Sequence, residues 1–168
     1  MLFRSATGAT FANITGKTSR ALVYIDEQNR LRITSGTEEV WRSTTPVGGS
    51  GSKVEVARPE VESRGGGRSY FYQMEPTPLA VDLDGDGIQE IIVPQNKDET
   101  GTIAVVYRSA SGIRFQQVNS GFDGLIRALG AFPDENGGPP TLIAAVVRYR
   151  NFLKASGETQ LIMTLPQE

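Results

Sequence analysis

Asp82-Leu83-Asp84-Gly85-Asp86-Gly87-Ile88-Gln89-Glu90 is the stretch on which the reading of this chain turns. Carboxylates fall on positions 82, 84, 86 and 90, with glycines at 85 and 87. Like charges spaced this closely repel one another unless a cation sits among them. Hard cations such as calcium take several oxygen ligands at once, and alternating aspartates in a tight loop supply them. The glycines permit the positive backbone angles that turn those oxygens inward. Leu79-Ala80-Val81 leads into the stretch, and Ile88 to Val93 leaves it as an apolar run. Both flanks read as strands, so the acidic stretch reads as a loop between them.

A helix–loop–helix calcium site is the nearest competitor. Its first six positions fit Asp82 to Gly87, but its twelfth should be a bidentate glutamate and is Val93. Ile91-Ile92-Val93-Pro94 is strand-like and ends in proline, which also favours strand–loop–strand. An ordinary polar hairpin turn uses Asp-Gly pairs too, but it gains nothing from four neighbouring carboxylates. Calcium is favoured over magnesium because the donor set is large, flexible and all oxygen.

Outward from the loop, residues 76–119 form a meander of four expected strands. These are Leu79–Val81, Ile88–Val93, Thr102–Tyr107 and Ile113–Val118, with Pro94 to Gly101 as a polar turn. Residues 10–43 give a second meander from Phe11–Ile14, Ala21–Ile25, Leu31–Thr34 and Glu39–Arg42. Residues 124–165 repeat the plan with Leu125–Leu129, Thr141–Arg150 and Thr159–Thr164. Val40-Trp41-Arg42-Ser43 is similar to Val106-Tyr107-Arg108-Ser109, and both stand before a small-residue turn. Between the first two units, 46–69 holds two glycine-rich stretches and reads as a flexible insert or loop. The expected fold is all-β, one β-propeller-like domain over 1–168 with about three four-stranded antiparallel blades. Propellers close with more blades than three. Three alternatives stay open: a longer propeller of which this is part, a fourth blade in the insert, or closure by a second subunit.

The loop and its apolar flanks resemble the calcium loop of FG-GAP and VCBS repeats, which form blades of β-propellers. The specific match covers about residues 79–95, and the blade plan extends to about residue 119. The resemblance implies that Asp82, Asp84, Asp86 and Glu90 are acidic ligands of Ca2+ and that the Ile88 carbonyl is a further one. It also implies a non-enzymatic interaction module, extracellular or in the cell envelope, with a protein or glycan as partner. This chain departs from the pattern at Glu90, where aspartate is commoner, and at Val93-Pro94-Gln95, where Val-Gly-Ala often stands. Pro76-Thr77-Pro78 replaces the Phe-Gly signature ahead of the loop. The other units offer only Asp26 with Glu27, and Asp134 with Glu135, so one metal site is expected rather than one per blade.

Composition narrows the chemistry. The 168 residues contain no cysteine and no histidine. Disulfides, thiolate nucleophiles and the commonest general base are thereby excluded in this chain, along with most hydrolase triads. Net charge is -2 with a pI near 5.3 and no long charge run, which points away from nucleic acid and anionic membrane surfaces. Mean hydropathy is -0.26, and no apolar run approaches membrane-spanning length. The first sixteen residues have no continuous apolar core of a signal peptide.

Weaker signals remain. Phe11 to Thr18 ends in Gly-Lys-Thr like a phosphate loop but has Phe11 where the first glycine belongs, and Gly48 to Lys53 reads as a linker. Arg64, Arg68, Tyr70 and Tyr72 form a basic and aromatic cluster that reads either as a partner surface or as a strand with exposed arginines beside it. Trp41 reads as a core residue. Two further functions are carried as alternatives: a polysaccharide-processing enzyme domain, with Arg68 and Tyr70 as candidate acid and base, and a structural assembly domain.

Overall fold

The computed structural model describes residues 5, 7–17, 19–49, 52–56, 70–135, 137–150 and 156–164. Among them the chain is all-β, with open antiparallel sheets and no helix, hence no helix long and apolar enough to cross a membrane. The first sheet has the order β1 (Ala9–Ala12), β2 (Ala21–Ile25), β3 (Leu31–Ser35), β4 (Glu38–Arg42). A separate hairpin pairs β5 (Ser52–Val56) with β6 (Tyr70–Met74). The second sheet runs β7 (Leu79–Val81), β8 (Glu90–Lys97), β9 (Thr100–Ser109), β10 (Gly112–Gln117), and the short β11 (Phe122–Asp123) pairs with the start of β9. The third sheet is β12 (Leu125–Phe132), β13 (Thr141–Tyr149), β14 (Gly157–Met163).

The second sheet lies between the other two. Alternation along β9 divides its side chains between two cores. Ala104 and Val106, with Ile91 and Val93 of β8, meet Val23, Ile25, Leu31 and Ile33 of the first sheet. Trp41 and Phe115 close that core as a stacked pair with ring centroids 6.5 Å apart. Ile103 faces the other way, onto Ile126, Ala144 and Val146 of the third sheet. Asn96 ties the third sheet on: its Nδ2 donates to the Ile126 carbonyl at 2.9 Å, and its Oδ1 accepts the Ile126 N–H at 2.8 Å.

Pro94 does not end β8, contrary to the sequence expectation, and the strand continues to Lys97. The Pro94 carbonyl accepts the Gly48 N–H at 2.7 Å. A residue in a strand points its N–H and C=O to the same edge, so the missing N–H of Pro94 lies on that edge, beyond the end of β7. The ladder from β8 to β9 therefore loses no bond. The turn expected over 94–101 shrinks to the tip at Asp98-Glu99. The start of the 46–69 connection is tied down: Val47 is buried, and Gly48 exchanges backbone bonds with Pro94 and Asn96. Arg64 and Arg68 lie outside the described residues. Tyr70 and Tyr72 are exposed on β6.

Asp26 fixes the turn between β2 and β3. Its Oδ1 accepts the N–H groups of Gln28 and Arg30, each at 2.9 Å, and its Oδ2 accepts Arg32 Nε at 2.6 Å. Burial alone pushes this carboxyl upward, but the bonds from Arg30, Arg32 and Gln28 outweigh it and hold it below the usual range. A depressed folded-state pKa contributes stability above the unfolded value, near 3.9, that is lost as pH falls through the folded value. Asp26→Asn should therefore flatten the acid limb of a melting-temperature profile. Ile33→Ala, which empties the core between the first two sheets, should cost about 2–5 kcal/mol in urea denaturation.

Candidate metal centre

β7 and β8 are paired from Leu79↔Ile92 to Val81↔Glu90, and the acidic loop closes their shared end. The anchors are therefore fixed, and only residues 82–89 are free to shape the loop. Gly85 and Gly87 take φ of 79° and 82°. A Cβ at either would meet nothing within 4 Å. Glycine is thus demanded by the backbone angle and not by crowding.

The carboxylates organise the loop through its own backbone. Asp82 Oδ1 accepts the Gly85 N–H at 2.7 Å, and its Oδ2 accepts the Gly87 N–H at 2.9 Å. Asp84 Oδ1 accepts the Asp86 N–H at 3.2 Å, and Asp86 Oδ1 accepts the Ile88 N–H at 2.6 Å. Asp82, Asp84 and Asp86 each offer a carboxylate oxygen within 4.8 Å of the others. Among the described residues no lysine or arginine pairs with any of the three. The donor set is all oxygen, solvent-facing and uncompensated, which fits a hard cation such as calcium.

Glu90 stands apart from that cluster, at the base of the loop. It is buried, and its Oε2 accepts the Leu83 N–H at 2.8 Å. Burial, and then the nearby charges of Asp84 and Asp86, push its carboxyl upward against the lowering effect of the Leu83 bond. Ile88 is half-buried, with its side chain towards Gly16 in the connection between β1 and β2. Arg64 and Arg68 are outside the described residues, and Tyr70 and Tyr72 belong to the β5–β6 hairpin rather than to the loop.

The loop's far-side supports carry no local sequence signal. Asn13 follows β1 and bonds the loop three times. Its N–H donates to Gln89 Oε1 at 3.0 Å, its carbonyl accepts the Gln89 N–H at 2.9 Å, and its Nδ2 donates to the Gly87 carbonyl at 3.0 Å. Arg108 of β9 adds a bond to the Thr15 carbonyl at 2.6 Å. These partners are more than seventy residues apart in the chain, and an isolated asparagine carries no motif. No protein-family model and no curated protein matches this chain.

The raised Glu90 carboxyl has a testable sign. A carboxylic acid raised in the folded state contributes stability below its unfolded pKa that is lost as pH rises through the folded value. In chelator at pH 7, Glu90→Gln keeps an acceptor for Leu83 and should melt above the wild type. At a pH below the ordinary glutamate range the two should converge.

Proposed function

We propose that this chain is a non-enzymatic, calcium-stabilised β-propeller-type interaction module of a surface or secreted protein. The observation that carries the reading is the convergence of Asp82, Asp84 and Asp86 within 4.8 Å on a strand–loop–strand frame. Asp82, Asp84 and Asp86 are the proposed direct ligands, with the Ile88 carbonyl completing the set. Glu90 is assigned to the same site as the acid at its base. The blade reading is supported by three antiparallel sheets in sequence order, with β1 beside β7 and β7 beside β12. Successive sheets thus bring their first strands together on one side, as wedge-like blades do around an axis.

The cation's role in this proposal is structural. An ion held by 82, 84 and 86 fixes the loop, and the Asn13–Gln89 bonds carry that order to the first sheet. A ligand that binds only the folded chain stabilises it by about 2.7 kcal/mol at a hundredfold excess over Kd. For a chain of this size that corresponds to roughly 5–10 °C in melting temperature. Millimolar calcium should raise the melting temperature by that order over chelator, and Asp84→Ala should abolish the response while still folding. A melting curve indifferent to calcium would sink the proposal.

A further inference from the structure

The first strands of the three sheets lie side by side, β1 next to β7 and β7 next to β12. A cavity of about 270 Å³ opens beside them. Thr7 borders it ahead of β1, Pro76 and Thr77 border it ahead of β7, and Arg127 and Leu129 border it from β12. All three sheets thus contribute to one concavity, at the opposite end of β7 from the acidic loop. Convergence of several elements on a partly apolar hollow with a few placed polar groups is the usual setting of a small-molecule site.

Arg127 is the charged group of this cavity with donors to spare. The bulge between Ile126 and Ala128 leaves it without a partner across the ladder to β13, and bulges re-aim side chains in this way. Its Nη1 donates to Ser52 Oγ at 2.7 Å and its Nη2 to the Tyr149 hydroxyl. Its Cζ lies 5.4 Å from the centre of the Tyr149 ring. The half-buried guanidinium is thus oriented by neutral groups. Among the described residues no carboxylate pairs with it. A guanidinium has five N–H groups, so these two bonds leave donors for a ligand. Glu75 also borders the cavity, but its carboxylate is engaged by the chain itself. Its Oε2 accepts the Gly49 N–H at 2.6 Å, and its Oε1 accepts Gln73 Nε2 at 3.0 Å.

We propose that this cavity binds a small organic monocarboxylate, with Arg127 receiving the carboxylate and the apolar lining receiving the rest. A guanidinium presents paired N–H groups that match a carboxylate, and such charge-assisted bonds are roughly twice as strong as neutral ones. The anion supplies the counter-charge that the chain does not. Met74, Pro76, Ala128 and Leu129 make the apolar part of the lining, which suits a hydrocarbon body rather than a bare inorganic ion. Among the described residues the lining holds one cation, Arg127, and one acid, Glu75. A second negative charge on the ligand would find no second cation and would be repelled by Glu75, so a monoanion fits where phosphate does not. At about 270 Å³ the cavity lies just under the ~300–1,000 Å³ of drug-sized sites, which limits the body to a short chain or a single ring.

Hexanoate, hexanol and inorganic phosphate are the probes, each followed by backbone amide NMR of the full chain. Chelator is present throughout, so that no cation in the acidic loop can take the anion. Hexanoate should shift the Thr77, Ala128 and Leu129 amides saturably, with a Kd of about 1 mM or tighter. Arg127→Gln should weaken it by about tenfold or more. Arg148→Gln, which removes an arginine already paired with Asp123, should leave it unchanged. Hexanol has the same chain without the charge and should bind about tenfold more weakly or worse, a comparison made on the wild type and independent of how any variant folds. Amides that stay in place up to about 10 mM hexanoate overturn the proposal. Equal binding of hexanol also overturns it, as does an unchanged hexanoate affinity in folded Arg127→Gln protein. Phosphate bound as tightly as hexanoate overturns the assignment to a monocarboxylate.

Discussion

Burial of the second sheet on both faces is the constraint on which the rest depends. A strand covered on one side alternates apolar and polar residues, whereas one covered on both sides must be apolar throughout. Past Glu90, β8 runs Ile91-Ile92-Val93-Pro94, all buried and apolar, and β9 carries Ile103, Ala104 and Val106 into two different cores. This sheet therefore cannot shift its register or slide without exposing one core or the other. The acidic loop is built at the end of its most buried strand. The loop's anchors are thus fixed by packing, and its carboxylates need only settle between them.

That placement explains the division of labour within the acidic stretch. Asp82, Asp84 and Asp86 lie on the solvent side, where a hydrated ion can enter, and their carboxylates cap loop N–H groups. Glu90 is already part of β8 and is drawn into the protein, bonded to Leu83. Asn13 joins the same loop to the connection after β1, and Arg108 holds that connection at Thr15. In the proposed function a bound cation would act on two sheets through these bonds, although it touches only one.

Much of the strand pattern was legible because turn residues and alternation are local signals. The runs 21–25, 31–34 and 141–150 became β2, β3 and β13 within a residue or two. The acidic loop was legible for the same reason, since its spacing lies within nine residues. Pro94 misled because its effect depends on which edge its missing N–H faces, and that is set by Gly48, forty-six positions away. The pairing of β5 with β6 was hidden by the long glycine-containing stretch between them. The bulge at Arg127 and the triple bond of Asn13 to the loop arise from contacts between units, for which a single sequence has no periodicity to read. Repeat counting left open whether further blades, the insert or a second subunit close a ring, and the sheets of the described residues are open.

The central claim is that a cation binds among Asp82, Asp84 and Asp86 and that the first sheet feels it through Asn13. Calcium titration followed by backbone amide NMR tests both halves at once. The account predicts saturable shifts at Gly85, Asp86, Gly87 and Ile88, accompanied with the same midpoint by Asn13 and Gln89. Amides that stay in place throughout the loop up to millimolar calcium would contradict it.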